Sequence, residues 1–206
     1  MNYNRLEGYL DLIQYPSTRI IYGLNKFDDD KRLNKILFKE LSSELSLFER
    51  VINDNCYELV EYMLEKGASA NLKRNIKIDN EDYVREMPTF AASAYADLDT
   101  FKVLVEHGGN YEPAEVAWIK MEHLGNLILN KQNHITEKLT ADEYDLLIEK
   151  EREFVNYIFQ KHNLTMFSTT KSNKNLRTLH LFFKNKGVDL EIKEKSDDMT
   201  LNFGTV

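Results

Sequence analysis

The chain has 206 residues, 42% hydrophobic and 11% aromatic, enough to bury one good core or a short stack of repeats. A net charge of −7 disfavours general attraction to DNA or anionic lipid, and only 3 Pro and 8 Gly argue against a turn-rich all-β chain or a flexible linker. The single cysteine, Cys56, excludes an intrachain disulfide and fits a reducing compartment.

The opening stretch, MNYNRLEGYLDLIQYPST, has acids inside its apolar run and no basic leader, so it does not read as a signal peptide. No window approaches the roughly 18 apolar residues of a membrane span, so a cytoplasmic protein with no membrane partner is expected. Between residues 3 and 24, Pro16 interrupts Leu6, Leu10, Ile13, Ile20 and Ile21 and predicts two short helices. Asp28, Asp29 and Asp30 then stand where a helix N-terminus favours negative charge, ahead of Leu33, Ile36, Leu37 and Leu41 at helical spacing. This acidic run lacks the glycine and the spaced ligands of a calcium loop, so it reads as a helix cap.

Two further helices follow, SELSLFERVI with Ser43 as its expected cap, and CYELVEYMLEK with Asn55 as cap and Glu58 in the capping-box position. Gly67 ends the second of these. The helical period breaks at ASANLKRNIKIDNEDYVREM, which predicts an extended hairpin, a finger over residues 72–86 with Asp79-Asn80 at its turn. Helix returns at PTFAASAYA, with Pro88 in the first turn, and Asp97 caps LDTFKVLVEH before the stop at Gly108.

The second half is looser. EPAEVAWIKMEHLGNLILN starts at Pro113 and carries Val116, Ile119, His123, Leu127 and Leu129. Thr140 and Glu143 form a capping box for a long helix whose apolar stripe is expected at Leu146, Leu147, Phe154, Tyr157 and Ile158. The last helix places Leu176, Leu179, Phe182 and Phe183 in a stripe and stops at Gly187. Leu201 and Phe203 give the polar tail KEKSDDMTLNFGTV a means of docking on the last helices and capping the stack.

The recurring unit is helix, tight turn, helix, glycine stop, and its wording resembles the ankyrin repeat. Residues 87–112 carry the resemblance most clearly: Pro88 at the family proline, Ala92 and Ser93 at the small pair, and Ala96 in place of the turn glycine. Leu98, Phe101, Val103, Leu104 and Glu106 match the outer helix, and Gly108-Gly109-Asn110 the hairpin start. Residues 46–71 match in the outer helix and Gly67-Ala68, and residues 176–191 only in the outer helix and the Gly187-Val188-Asp189 step. Gly67 and Gly108 stand roughly eight residues further apart than the family period of about 33, and the excess falls in the finger. Residues 1–42 and 113–170 show little of the motif and read either as degenerate repeats or as added helices. The resemblance implies an all-α, irregular ankyrin-like helical solenoid over residues 1–206, with one extended β-hairpin finger near residues 72–86.

Chemistry-bearing motifs are sparse. No two of His107, His123, His134, His162 and His180 have HxxxH spacing, none has a close cysteine, and no metal site or cofactor is expected. His107 reads as a partner of its helix's C-terminal dipole. Cys56 near a helix start is where a thiol pKa falls, although a small interior or turn residue is the plainer reading. No glycine-rich phosphate loop, GxSxG or HExxH occurs, so the chain reads as not an enzyme. Trp118, the only tryptophan, is expected in the core, or as an interface anchor if exposed.

Charge is segregated along the chain. Seven acids from Glu40 to Glu65 face one base, Arg50, and residues 137–153 hold seven acids, whereas residues 161–186 hold six bases and no acid. Ordinary solvated helix faces explain this, and so does steering of a charged partner. The aromatics of the basic stretch, Phe182 and Phe183 among them, fit a core stripe better than a stacking platform, which argues against a nucleic-acid partner.

By the resemblance, function is protein binding without catalysis. Insertions in repeat proteins map to the binding face. The candidate contacts are therefore Lys73, Arg74, Asn75, Lys77, Asp79, Glu81, Asp82, Tyr83 and Arg85 in the finger, with Tyr95 and Asp97 near the next turn. A small acidic chain of this build suggests a stand-alone inhibitor, an immunity or antitoxin protein that occludes a basic toxin or enzyme such as a nuclease. Its Lys-, Asn- and Ile-rich wording fits an AT-rich bacterial or viral genome. The alternatives are a host-directed effector using the same surface and an enzyme with an unrecognised site in residues 113–170.

Overall fold

A computed structural model describes residues 34–35, 46–78, 81–86, 89, 92, 94, 96–133, 139–166 and 170–194. These are predominantly helical. In chain order they form α1 (Leu47–Asn53), α2 (Tyr57–Glu65), β1 (Lys73–Ile78), β2 (Glu81–Glu86), α3 (Leu98–Glu106), α4 (Pro113–Gln132), α5 (Ala141–His162) and α6 (Lys171–Asn185). The expectations for residues 3–24, Asp28–Asp30, Asp79-Asn80, Pro88, Tyr95, His134, Leu201 and Phe203 lie outside the described residues. The chain divides into two compact units, Met1–Tyr111 and Glu112–Val206.

In the first unit α1 packs on α2 and α2 on α3. Phe48, Val51, Ile52, Leu59, Val60, Met63, Phe101 and Leu104 are buried between them. Ala92, Ala94 and Ala96 are buried as well, small side chains that let backbones approach closely. The start of α1 corrects one expectation. Its cap is Ser46, whose hydroxyl accepts the Glu49 N–H at 3.2 Å, while Glu49 accepts the Ser46 N–H at 2.7 Å. Only Ser46 has a glutamate three residues on, so only there can the reciprocal box close.

The start of α2 corrects another. Asn55 does not cap it: Asn55 sits at φ +55, its side-chain oxygen accepts the Asp97 N–H at 2.7 Å, and the N-cap position falls to Cys56, whose side chain makes no capping bond. A left-handed asparagine whose oxygen is turned to a residue 42 positions away does not present it to the helix beside it. Asp97, by contrast, caps α3 as expected, accepting the Thr100 N–H at 2.9 Å.

α2 and α3 are nine residues each and end identically. Gly67 (φ +93) donates to Leu64 O and Ala68 to Met63 O; Gly108 (φ +82) donates to Val105 O and Gly109 to Leu104 O. This is the double bond pattern of a Schellman motif, which needs a left-handed residue and so a glycine. Gly109 is constrained differently: a Cβ there would lie 2.7 Å from Leu104 O. Between these two helices, β1 and β2 pair antiparallel from Lys73↔Glu86 to Ile78↔Glu81.

The second unit is α4 packed against α5 and α6. Met121, Leu124, Phe154, Val155, Ile158, Phe159, Leu176, Phe183, Val188 and Leu190 form its core. Pro113 opens α4, Thr140 and Glu143 close a capping box on α5, and Gly187 (φ +77) ends α6 with the same pair of bonds as α2 and α3. Gly125 in mid-helix has a packing reason: a Cβ would lie 2.3 Å from the Phe183 ring. That contact lets α4 and α6 approach at the cost of helix propensity.

The buried faces differ from the expected stripes. α5 turns Tyr144, Ile148, Phe154, Val155, Ile158 and Phe159 inward, and Leu146 is 58% exposed. α4 buries Ala114, Ala117, Met121 and Leu124 and leaves His123 at the surface. α6 buries Phe183 and leaves Phe182 49% exposed.

Candidate partner-binding surfaces

Of the residues read from the sequence as contacts, Lys73, Arg74, Asn75 and Lys77 lie on β1, and Glu81, Asp82, Tyr83 and Arg85 on β2. The register sets Arg74 opposite Arg85, Asn75 opposite Val84, Ile76 opposite Tyr83 and Lys77 opposite Asp82. Because residues along a strand alternate between faces, Arg74, Ile76, Tyr83 and Arg85 share one face of the ribbon. Lys73, Asn75, Lys77 and Asp82 share the other. Asp79 and Tyr95 lie outside the described residues. Asp97 is half-buried and spends its carboxylate on the α3 cap, a structural duty.

The ribbon emerges next to a turn tied down by Asn71. The Asn71 Nδ2 donates to Gly108 O at 2.6 Å, and its Oδ1 accepts the Asn110 N–H at 2.7 Å. One unit earlier Asn34 makes the same pair of bonds: Nδ2 to Gly67 O at 2.7 Å and Oδ1 from the Ser69 N–H at 2.9 Å. Each asparagine thus grips the carbonyl of the glycine ending the next outer helix and the amide two residues beyond it. Sequence reasoning missed both asparagines, and their spacings to the glycines, 33 residues for Asn34 and 37 for Asn71, differ and so gave no fixed period to find them by.

The second unit carries two surface openings. One, a groove of about 270 Å³, is lined by Glu112, Ala114, Glu115, Trp118, Ser172 and Asn175. Trp118 is 37% exposed there, so its place is at the surface and the expectation of a core tryptophan is overturned. The other, about 780 Å³, is lined in part by Lys131, Asp145, Glu149, Arg152, Asp189 and Glu191. Its charges are largely paired: Lys131 with Asp145, and Arg152 with Glu149 at 3.0 Å and with Glu191 at 3.6 Å.

The segment 113–170 also contains a buried ion pair. Lys120 is 1% exposed, its Nζ donates to Glu151 at 3.1 Å, and it lies 4.5 Å from the centre of the Phe154 ring. The pair is packed between α4 and α5, and neither residue lines either opening. Removing Glu151 costs several kcal/mol, because Lys120 stays buried, whereas Glu151, at 20% exposure, tolerates loss of Lys120 better.

Cys56, His162 and Glu143 are among the titratable groups with shifted values. Burial, reinforced by Asp54, Glu58 and Asp97, pushes the Cys56 thiol up, the opposite of an activated thiol and in line with the plainer reading of a small turn residue. Burial and then Lys161 push His162 below the ordinary histidine value, with Glu112 opposing. The Thr140 backbone and hydroxyl hold Glu143 below the ordinary carboxylate range. His107 occupies the C-cap of α3 and its Nδ1 lies 2.9 Å from Val103 O, consistent with the helix-end role read from the sequence.

Among the described residues no group of three or more His, Cys, Asp or Glu is arranged to hold a metal, and no helix is long and apolar enough to cross a membrane. No family model matches the chain, and neither a curated protein nor a solved structure matches it.

Proposed function

We propose that the chain is a non-catalytic protein-binding module of ankyrin-like, solenoid build, and that the β1–β2 ribbon is its principal contact. The single observation that carries this reading is the repeated turn. Two nine-residue helices end in the same glycine motif, each glycine turn is gripped by an asparagine from the preceding unit, and the ribbon is inserted between them. A repeated unit whose neighbours hold each other's turns gives a stiff support, and an insertion on such a support presents its residues with little ordering cost on binding.

The partner class follows from charge. At −7 net, a stand-alone inhibitor of immunity or antitoxin type, occluding a basic toxin or enzyme, is the most economical role. Its place is the cytoplasm, beside such a target. Glu81 and Asp82 then pair with basic positions of the partner, Lys73, Arg74, Lys77 and Arg85 with its individual acidic positions, and Tyr83 supplies an aromatic anchor.

Affinity capture from the source cell tests this. Wild-type protein should retain a basic partner through washing. A variant carrying Arg74→Glu and Arg85→Glu, opposite each other in the ribbon, should lose it while keeping its helical circular dichroism. Equal capture by both proteins would remove the ribbon from the contact.

A further inference from the structure

The groove beside Trp118 has a chemistry of its own. Its described lining holds two carboxylates, Glu112 and Glu115, two neutral polar residues, Ser172 and Asn175, and no cation. Glu112 stands at the N-cap of α4, yet its side chain caps nothing, and neither glutamate forms an ion pair among the described residues. Lys171 and Lys174 neighbour the groove along α6 but are exposed and outside the lining. Trp118 is the only tryptophan of the chain and is 37% exposed against this acidic edge.

An exposed indole beside two carboxylates that form no ion pair among the described residues, Glu112 acting also on His162, is the environment that a guanidinium or ammonium group recognises. The ring face attracts the cation, and the carboxylates accept its N–H groups. The volume, about 270 Å³, is at the lower edge of small-molecule pockets, which suits one side chain better than a whole ligand. The first turn of α4 presents amide groups that favour an anion, but the two glutamates already supply that negative charge.

We infer that this groove receives an arginine or lysine side chain of a protein partner, with Trp118 stacking on it and Glu112 and Glu115 neutralising it. This deepens the partner-binding reading by assigning a contact on the second unit for a basic target, and it rests on that reading only for the partner being a protein. The groove itself is testable without the partner, so its failure and the failure of the ribbon contact are separate results.

The probe is the capped peptide acetyl-Arg-Arg-Arg-amide, followed by the emission of the sole tryptophan at low salt. A saturable change is expected, weakening with added salt, while acetyl-Glu-Glu-Glu-amide produces none. The Glu112→Gln/Glu115→Gln double variant should bind about tenfold more weakly, the size of two exposed charge contacts. A control variant, Glu58→Gln/Glu61→Gln on α2, removes the same charge elsewhere and should bind like wild type. If the first double variant loses helicity, Glu115→Gln alone carries the comparison, with about a threefold loss expected. No saturable change, a response to the glutamate peptide, or equal weakening in both double variants would overturn the assignment.

Discussion

Asn71 holds Gly108 from 37 residues away, its Nδ2 2.6 Å from the glycine carbonyl, while its Oδ1 takes the Asn110 amide. Both ends of one side-chain amide are used on one turn, which fixes the exit of α3 relative to the exit of α2. A net gain of about 1 kcal/mol per hydrogen bond makes this a contribution of about 2 kcal/mol at most, less where water competes. Asn71→Ala should therefore lower the urea midpoint of the chain by an amount equivalent to about 1–2 kcal/mol. Asn71→Asp keeps the acceptor but sets a carboxylate against the Gly108 carbonyl, and should recover little of the loss. Asn34→Ala should behave like Asn71→Ala, since its bonds to Gly67 and Ser69 are the same pair.

Gly125 and Phe183 make a second prediction. A methyl group at position 125 would lie 2.3 Å from the ring, so α4 and α6 must separate or the ring must turn. Gly125→Ala should destabilise by about 1–3 kcal/mol despite the better helix propensity of alanine. Phe183→Leu alone should also destabilise, but the double variant should be more stable than the sum of the two single losses predicts. A thermal-melting double-mutant cycle reads this coupling directly.

His162 gives the expected pH dependence. Its folded-state value lies below the ordinary one, so between that folded value and about pH 6.5 the unfolded chain holds more protons than the folded chain. Stability should therefore rise with pH through this window, be fully present above it, and be lost as the pH falls through the folded value. Urea unfolding at a series of pH values should show this slope in wild type and a shallower one in His162→Gln. A pH-independent difference between the two proteins would remove titration of His162 as the cause.

The parts of this fold legible in sequence are those decided within one turn of helix. Gly67, Gly108 and Gly187 mark three helix ends because only a residue tolerant of positive φ closes the motif there. Thr140 with Glu143, and Asp97, are read correctly as caps for the same reason. Ser46 is equally legible, since its glutamate stands three residues on, whereas Ser43 has Ser46 there and cannot form the box.

What was not legible is decided at distance. Asn55 looks like a cap until Asp97 claims its oxygen. Leu146 and Leu147 are as apolar as Ile148, and only the direction from which α4 approaches α5 determines which of them is buried. Phe182 and Phe183 are adjacent and of one type, yet Phe183 alone meets the gap left by Gly125. Trp118 faces outward because Ala117 and Met121 take the inward positions of α4. For the ribbon, the break in helical period and the excess length between Gly67 and Gly108 located the segment, whereas the Asn71 grip beside it depends on a partner turn that no local pattern reveals.

In the proposed function the ribbon of β1 and β2 is the contact and the helices are its support. Calorimetric titration of the captured partner into wild type and into a variant with residues 73–86 replaced by a short turn tests it most directly. The replacement should leave the helical signal and the unfolding midpoint of the remaining structure in place, and weaken binding by about 100-fold or more, the loss expected when a central contact of about 3 kcal/mol disappears. Unchanged affinity in a folded, shortened protein would contradict the claim.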